Sequence, residues 1–511
     1  MPNFTRKNAW NQGGTFDNPD LLWYAKGVGV LQSRSLDDPN SWWFFGAIHG
    51  VYLKALDPDI PSMYFWSNIL SPPSVPTTPL PSKSLQDTFW KQCQHQSWFF
   101  PPWHRGYLIA IEAQVRQAII DLGGPENWSM PYWNYFGPDD QYKIPPAFME
   151  KTLPDSTPNP LYVVARYGPN NDGNVYVDTT KVSQQNQKNT LYTGSNANTQ
   201  SPGYGGPDTG FWHGGTHPSG NLESNPHNTV HTLVGGIKGN SPGLMAYPGL
   251  AALDPVFYLH HANIDRMWAS WNANGNTNPT DANWLKGPAA VGEREFAMPM
   301  PDGSTWNFTP EDVSDLSKLN YTYEDLSTLK SVTLEKAVAR RLQKLGVSPT
   351  DSLTAQNMAL GKNAELIGAH DKPLSLGGSG LQTTVKLDSS AKKKVNEGFL
   401  KASALNIPDK VYLQLEHVTG TLDANILTVS VNQKLAGHVS LFGLMEASAE
   451  GGHHGGSGLT LNLEITHIID ELHLDEEFDA DALDVTVIPN NIPENESITV
   501  GKISVYREQQ Q

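Results

Sequence analysis

Cysteine is almost missing from this chain: Cys93 is the single one among 511 residues. An intramolecular disulfide is excluded, a structural zinc site closed by thiolates is excluded with it, and any cysteine chemistry belongs to one sulfur. Long apolar runs are also lacking, and no stretch approaches the roughly 20 residues of a membrane-spanning helix. Residues Met1 to Lys7 are polar, with no apolar run ahead of a small-residue cleavage site. A soluble chain in the cytoplasm is therefore expected, with export of a processed form left open. Positive charge is scarce: 35 Lys+Arg against 52 Asp+Glu leave a formal net charge of −17. That balance argues against nucleic acid or an anionic membrane as partner and reads most simply as a well-solvated acidic surface.

What the chain does have is aromatic bulk, with 15 Trp and 17 Phe, and enough length for two or three domains. Helical periodicity marks Trp42 to Leu56, Trp103 to Leu122, His227 to Val234 and Asp254 to Trp271. The first is apolar nearly all round and should be buried. Asp254-Pro255 supplies a cap residue and an N1 proline to the last. Residues 150–225 are rich in Asn, Gly, Ser and Pro and read as a long loop, of the kind that is often functional. An amphipathic helix is expected over 331–346, and Pro373 to Gly380 reads as a boundary. From Leu381 onward polar and apolar residues alternate, as in Val411 to His417 and Leu459 to Ile465, which predicts a β-sandwich or barrel. The expected architecture is a mainly α domain over 1–330, a linker with a helix over 331–380, and a β-sandwich domain over 381–511.

The chemistry lies in the histidines. Phe100 precedes His104 by four residues, and Phe257 precedes His261 by four, so in each case ring and imidazole share a helix face. His227 and His231 form an i, i+4 pair, one helical turn apart and able to reach one metal ion. Of 16 histidines, six fall into two sets: His49, His95 and His104, then His227, His231 and His261. Buried neutral imidazoles suit copper, zinc, iron or nickel. A di-iron bundle needs bridging carboxylates in Glu-x-x-His motifs, which are lacking beside these histidines. Three neutral ligands per metal leave open positions and favour a soft, cycling metal such as copper. Position alone does not decide between His260 and His261, because both could point inward.

The strings His95-x8-His104-Arg-Gly-Tyr-Leu108, Pro226-His227-Asn-x2-His231 and Asp254-Pro-Val-Phe-Tyr-Leu-His-His261-Ala-Asn-Ile-Asp265-Arg resemble the two copper signatures of type 3 copper proteins. That family comprises tyrosinases, catechol oxidases and molluscan haemocyanins. The resemblance covers residues 1 to about 330 and agrees in residue type, spacing and order. It implies a four-helix bundle around two copper ions, dioxygen as co-substrate and phenolic small molecules as partners, with homo-oligomerisation left open. It assigns His49, His95 and His104 to one copper and His227, His231 and His261 to the other. Phe100, Phe257, His260 and Asp265 then stand behind the ligands.

Further expectations follow from the same resemblance. Cys93 matches the subset whose cysteine sulfur is bonded to the imidazole carbon of the ligand two residues on, here His95. Glu223 and Asn228 match the pair that in tyrosinases holds a water able to take the proton of a monophenol. Pro248 and Gly249 stand where many plant enzymes carry a bulky Phe, which favours access for monophenols. Arg6 and Tyr321-Thr322-Tyr323 resemble the elements that bracket the family's catalytic domain. The C-terminal part resembles a shielding domain, with Phe442, or alternatively Leu441, expected over the coppers. His213, His217, His453 and His454 are assigned no catalytic role, although the last two could help load copper. The expected activity is ortho-hydroxylation of monophenols and oxidation of o-diphenols to o-quinones. A catechol oxidase without monophenolase activity, a haemocyanin-like oxygen carrier and a zinc-loaded binding protein are the alternatives.

Overall fold

The computed structural model describes residues 4–70, 74–194, 201–327, 360–388, 409–449, 456–474, 481–490, 492 and 498–510. The helix expected over 331–346 and the loop histidines His453 and His454 lie outside the described residues. The chain divides into two compact units, one of Met1–Gln187, Thr209–His213 and Asn225–Thr328, the other of Lys188–Asp208, Gly214–Ser224 and Leu329–Gln511. Among the described residues no helix is long and apolar enough to cross a membrane.

The first unit is helical. Helix α1 (Pro19–Gln32) starts behind an Asn18 side-chain cap with a proline at its first position. Helix α2 (Trp42–His49) starts behind a Ser41 cap and is buried along its whole length. Each large aromatic it buries contributes about 1.5–3 kcal/mol. It ends at His49 rather than Leu56, because Gly50 turns extended (φ −173°, ψ 155°). Helix α3 (Lys83–Phe89) is short and capped by Ser82. Helix α4 (Phe100–Asp121) begins three residues earlier than the periodicity suggests. Pro101 and Pro102 are tolerated there because first-turn N–H groups have no partner inside the helix.

The segment Glu223–Asn228 has π pitch but is broken where Asn225 turns extended (φ −150°, ψ 118°), and it runs into α5 (Thr229–Gly235), so the stretch expected as one regular helix changes pitch after Asn228. Helices α6 (Pro248–Ala251) and α7 (Val256–Ala273) follow. Asp254 starts α7 by accepting the Val256 N–H at 2.9 Å while Arg166 grips its carboxylate at 2.6 and 2.9 Å.

Short strands close this unit. Strand β1 (Phe4–Arg6) pairs in parallel with β6 (Tyr321–Tyr323); β2 (Ile237–Lys238) pairs with β3 (Ser241–Pro242), and β4 (Phe296–Pro299) with β5 (Thr305–Phe308). Gly106 on α4 has no Cβ because the Phe308 ring occupies that space: an added atom would lie 2.2 Å from it. A buried ionic cluster ties β1, α4, α7 and β6 together. Asp265 accepts from Arg105, Arg6, Tyr321 and Tyr323, and Arg6 also meets Glu112 at 2.7 Å. Arg6 and the Tyr-x-Tyr element thus meet, as the bracketing motif leads one to expect.

The second unit is β-rich, as expected. Its strands are β7 (Leu360–His370), β8 (Leu374–Leu376), β9 (Leu381–Leu387), β10 (Lys410–Thr419), β11 (Ile426–Val431), β12 (Lys434–Ser440), β13 (Leu459–Glu464), β14 (Ala482–Pro489) and β15 (Ile498–Gln510). They form one sheet of nine strands in the order β12-β11-β14-β9-β7-β15-β10-β13, with β8 also on β15. The two ends of this sheet come together, since an added Cβ on Gly437 of β12 would lie 2.9 Å from Leu463 of β13. The arrangement is barrel-like, which is one of the two forms, sandwich or barrel, that the alternation predicts; alternation marks one buried face and does not say how a sheet closes.

The core inside is aliphatic, built from Val, Leu and Ile of all nine strands and of the helix Thr466–Leu474. The linker expected over 331–380 is corrected, because β7 and β8 belong to the sheet. Strand β7 escapes detection because its register against β15 shifts between Val505 and Tyr506, which breaks the period of two.

Candidate metal centre

Two groups of buried side chains within the helical unit bring metal-ligating atoms within 4.8 Å of one another: His49, Cys93, His95 and His104, then His227, His231, His260 and His261. His49 is the last residue of α2, His104 is the fifth residue of α4, His231 is on α5 and His260 and His261 are on α7. His95 lies in the segment before α4, and His227 in the π turn. In the first group the ring centroids of His49, His95 and His104 are 5.4, 5.7 and 6.0 Å apart. In the second, those of His227, His231 and His261 are 4.5, 4.8 and 5.5 Å apart. The groups face each other through His104 and His261, whose rings stack at 4.5 Å.

Main-chain oxygens orient the rings. Nδ1 of His49 meets Pro248 O at 3.0 Å, that of His104 meets Phe100 O at 2.8 Å, and that of His231 meets Met245 O at 2.8 Å. Nδ1 of His227 meets the Asn228 side-chain oxygen at 2.7 Å. An acceptor at Nδ1 fixes the proton there and leaves a lone pair on Nε2. His261 Nε2 lies 3.3 Å from the Nε2 atoms of both His227 and His231. With Nδ1 of His227 and His231 engaged, their Nε2 lone pairs are free to face His261 Nε2, and the three nitrogens converge as the ligands of one cation would. His49 Nε2 is buried with no hydrogen-bond partner. The donor set therefore fits a resident metal in each group.

Electrostatics agree. Burial pushes the imidazoles of His49, His95, His227, His231, His260 and His261 far down, and neighbouring imidazoles add to it. Burial takes His104 to about 3. All stay neutral at physiological pH, which is the state that binds soft divalent and monovalent copper. Water is kept out by aromatic rings: Phe100 lies 4.4 Å from His104, Phe257 4.1 Å from His261, and Trp103 4.8 Å from His104. Both Phe–His pairs stand as their spacing predicts.

Of the adjacent pair, His261 is the one whose Nε2 converges with His227 and His231. The His260 ring instead stacks on His227 at 5.4 Å and lies edge-on to His231 at 5.0 Å. Cys93 Sγ is 3.5 Å from His95 Nδ1 and 3.6 Å from His95 Nε2. The same sulfur lies 3.3 Å from His104 Nε2. Asp265 stands one turn beyond His261, bonded to Arg105 beside His104. Glu223 is buried at the start of the π turn that ends with His227 and Asn228. Pro248 and Gly249 bring main chain, not a bulky ring, towards His49. In the C-terminal unit Leu441 belongs to the aliphatic core, and Phe442 is next to it, 5% exposed.

Some contributors were not singled out from the sequence. The carbonyls of Met245 and Pro248 orient two rings, but a main-chain oxygen leaves no residue-type signal. His213 was assigned no role, yet its Nδ1 lies 2.6 Å from Cys93 O and its main chain bridges that of His95. It braces the segment carrying Cys93 and His95.

Comparison with known proteins agrees with this geometry. Residues 39–274 match the common central domain of tyrosinase, and residues 363–508 match a domain of unknown function. Tyrosinase HcTyr1 of Hahella sp. (strain CCB-MM4) is 30% identical over 531 residues, which cover 99% of each chain. Polyphenol oxidase D of Solanum lycopersicum is 25% identical over 80% of this chain and 67% of its own. The structure of latent apple tyrosinase has the same fold, with a TM-score of 0.56 and 21% identity over 99% of this chain and 98% of that one. With its two facing histidine groups and a tyrosinase relative matched from end to end, the chain belongs to the tyrosinase family of type 3 copper proteins.

Proposed function

We propose that this member of the family is a monophenol-hydroxylating enzyme, which converts monophenols to o-diphenols and o-diphenols to o-quinones with dioxygen. His49, His95 and His104 hold one copper; His227, His231 and His261 hold the other. Bound there, the two coppers supply dioxygen binding and the exchange of electrons with the phenol. The protein's own part is to fix six neutral imidazoles, to exclude water with Phe100, Trp103 and Phe257, and to take a proton. A monophenol must lose its hydroxyl proton before its oxygen can bind a metal. Glu223 and Asn228 hold the water that accepts it, and Asn228 also fixes His227 through the 2.7 Å contact.

Asn228 is the observation that carries the reading, because its side-chain oxygen reaches the second metal group at His227 Nδ1, 2.7 Å away. The relative matched over its whole length is named a tyrosinase, which supports the same reading. The closeness of the Cys93 sulfur to the His95 ring further supports a Cys93–His95 thioether. In that step a C–S bond forms at Cε1, the S–H and C–H bonds break, and two electrons and two protons pass to dioxygen.

Oxygen uptake on tyramine and on 4-methylcatechol, with Glu223→Gln beside the parent, tests the proposal. The parent should consume oxygen with both. The variant should lose the monophenol rate by roughly 10²-fold, as loss of a general base implies, and keep most of the diphenol rate. A parent active on the catechol alone is a catechol oxidase, and reversible oxygen binding without turnover marks an oxygen carrier.

A further inference from the structure

The carbonyls that orient His49 and His231 come from one short stretch of main chain. Met245 O, in the 3-10 turn Leu244–Ala246, serves His231; Pro248 O, at the start of α6, serves His49. These histidines belong to opposite groups. A shift of residues 245–248 therefore turns one ring in each.

The stretch consists of two single-turn helices, too short to hold themselves in place. Lateral contacts hold it. Trp66 Nε1 donates to Gly249 O at 2.8 Å, and Trp66 is itself 1% exposed, so water does not compete for the bond. The Tyr64 and Tyr247 rings meet at 4.7 Å. Gly249 lies so close to the Tyr52 ring that an added Cβ would be 2.4 Å from it. On the other side, a Cβ on Gly50, next to His49, would be 3.1 Å from Pro248 O. The indole bond is a directed polar tie, and it lands on the residue after Pro248; further back, the Leu244 N–H donates to Ala165 O at 2.8 Å.

We propose that Trp66 is a positioning residue for both metal groups at once, and that residues 245–249 couple the loading of the two coppers. An ion bound in either group fixes its histidine, the histidine fixes its carbonyl, and the stretch is then ordered for the other group. The coupling is reciprocal, as any linkage between two binding events must be. The inference rests on the two groups being copper ligands.

The test uses the copper-free full-length chain, titrated with chelator-buffered copper(I), with species counted by native mass spectrometry. At one equivalent, independent equal sites would put roughly half of the chains in the single-copper form. The parent should show far less than that. Trp66→Phe keeps an aromatic ring, though a smaller one, and removes the donor; single-copper chains should rise towards half, and copper affinity should fall by roughly tenfold, as for other lost supports of metal ligands. Trp128→Phe, which removes an indole bond to Asp20 O of 3.0 Å in another part of the unit, should load as the parent does. Hydrogen exchange of the parent gives an independent reading should Trp66→Phe not fold: the amides of Leu244, Ala246, Leu250 and Ala251 should gain protection at the first equivalent. A statistical single-copper population in the parent, parent-like loading of Trp66→Phe, or protection arriving only with the second equivalent overturns the coupling. A parent that does not take up two coppers overturns the ligand assignment beneath it.

Discussion

Replacing Asp265 by Asn tests whether one buried carboxylate holds the helical unit together. Asp265 accepts from Arg105 Nε at 2.6 Å, Tyr321 OH at 2.7 Å, Tyr323 OH at 2.5 Å and Arg6 Nη1 at 3.2 Å. Its side chain is 2% exposed and those of Arg6 and Arg105 are 0% exposed. The amide keeps the volume and one acceptor oxygen but removes the charge. Arg6 still meets Glu112, whereas Arg105 is left with the carbonyls of Val313 and Ser314.

Removing one partner of a buried pair costs about 3–5 kcal/mol, and the contacts that survive place this case at the lower end. At about 2–4 °C per kcal/mol for a unit of roughly this size, Tm should fall by roughly 6–12 °C. Tryptophan fluorescence of the copper-free chain during heating measures it. The pH dependence adds a second condition. Burial would raise the Asp265 carboxyl, but Arg105 and then Arg6 outweigh burial and hold it below its ordinary value. Its contribution is therefore complete above the unfolded value of about 3.9 and is lost only as pH falls through the lower folded value. The gap between parent and variant should stay constant from about pH 8 to about pH 5 and narrow below about pH 4. A loss of under about 2 °C, or a gap that closes between about pH 8 and pH 6, refutes the reasoning.

Other outcomes can be checked directly. His231→Ala should leave at most about one copper per chain by elemental analysis, and retention of two with full activity would remove the residue from the ligand set. Intact-mass measurement of copper-treated protein should find the chain two hydrogens lighter and inert to alkylation; a titratable Cys93 thiol would contradict the thioether. Phe442→Ala should raise the rate on phenols if that ring shields the coppers, and an unchanged rate would confine Phe442 to the packing of its own unit. A protease cut meant to release the nine-stranded sheet whole belongs between Tyr323 and Leu360, because cutting near residue 380 would leave β7 and β8 behind.

The histidines were legible in the sequence because their identity carries the chemistry and their helical spacing survives folding. Phe100 and Phe257 show the same thing: a separation of four residues became ring contacts of 4.4 and 4.1 Å. Legibility stopped where main chain acts. Nothing in the residue types Met245 and Pro248 announces that their carbonyls orient His231 and His49, and Trp66 reaches Gly249 across 183 positions. His213 has no role in the sequence reading, and the bridge to His95 that gives it one is made by main chain. In the C-terminal unit alternation found β9 onward but not β7, whose bulge shifts the pattern midway. How the sheet closes depends on twist and register accumulated over nine strands, which no single stretch encodes.

The pairing of Phe4–Arg6 with Tyr321–Tyr323 has a consequence for how such a chain can be rearranged. Entry and exit of the helical unit lie one strand apart, with Phe4 opposite Tyr321. A unit whose ends are neighbours can be spliced into, or out of, a longer polypeptide without stretching its interior. It can equally be permuted, by joining the ends with a short linker and opening a loop elsewhere.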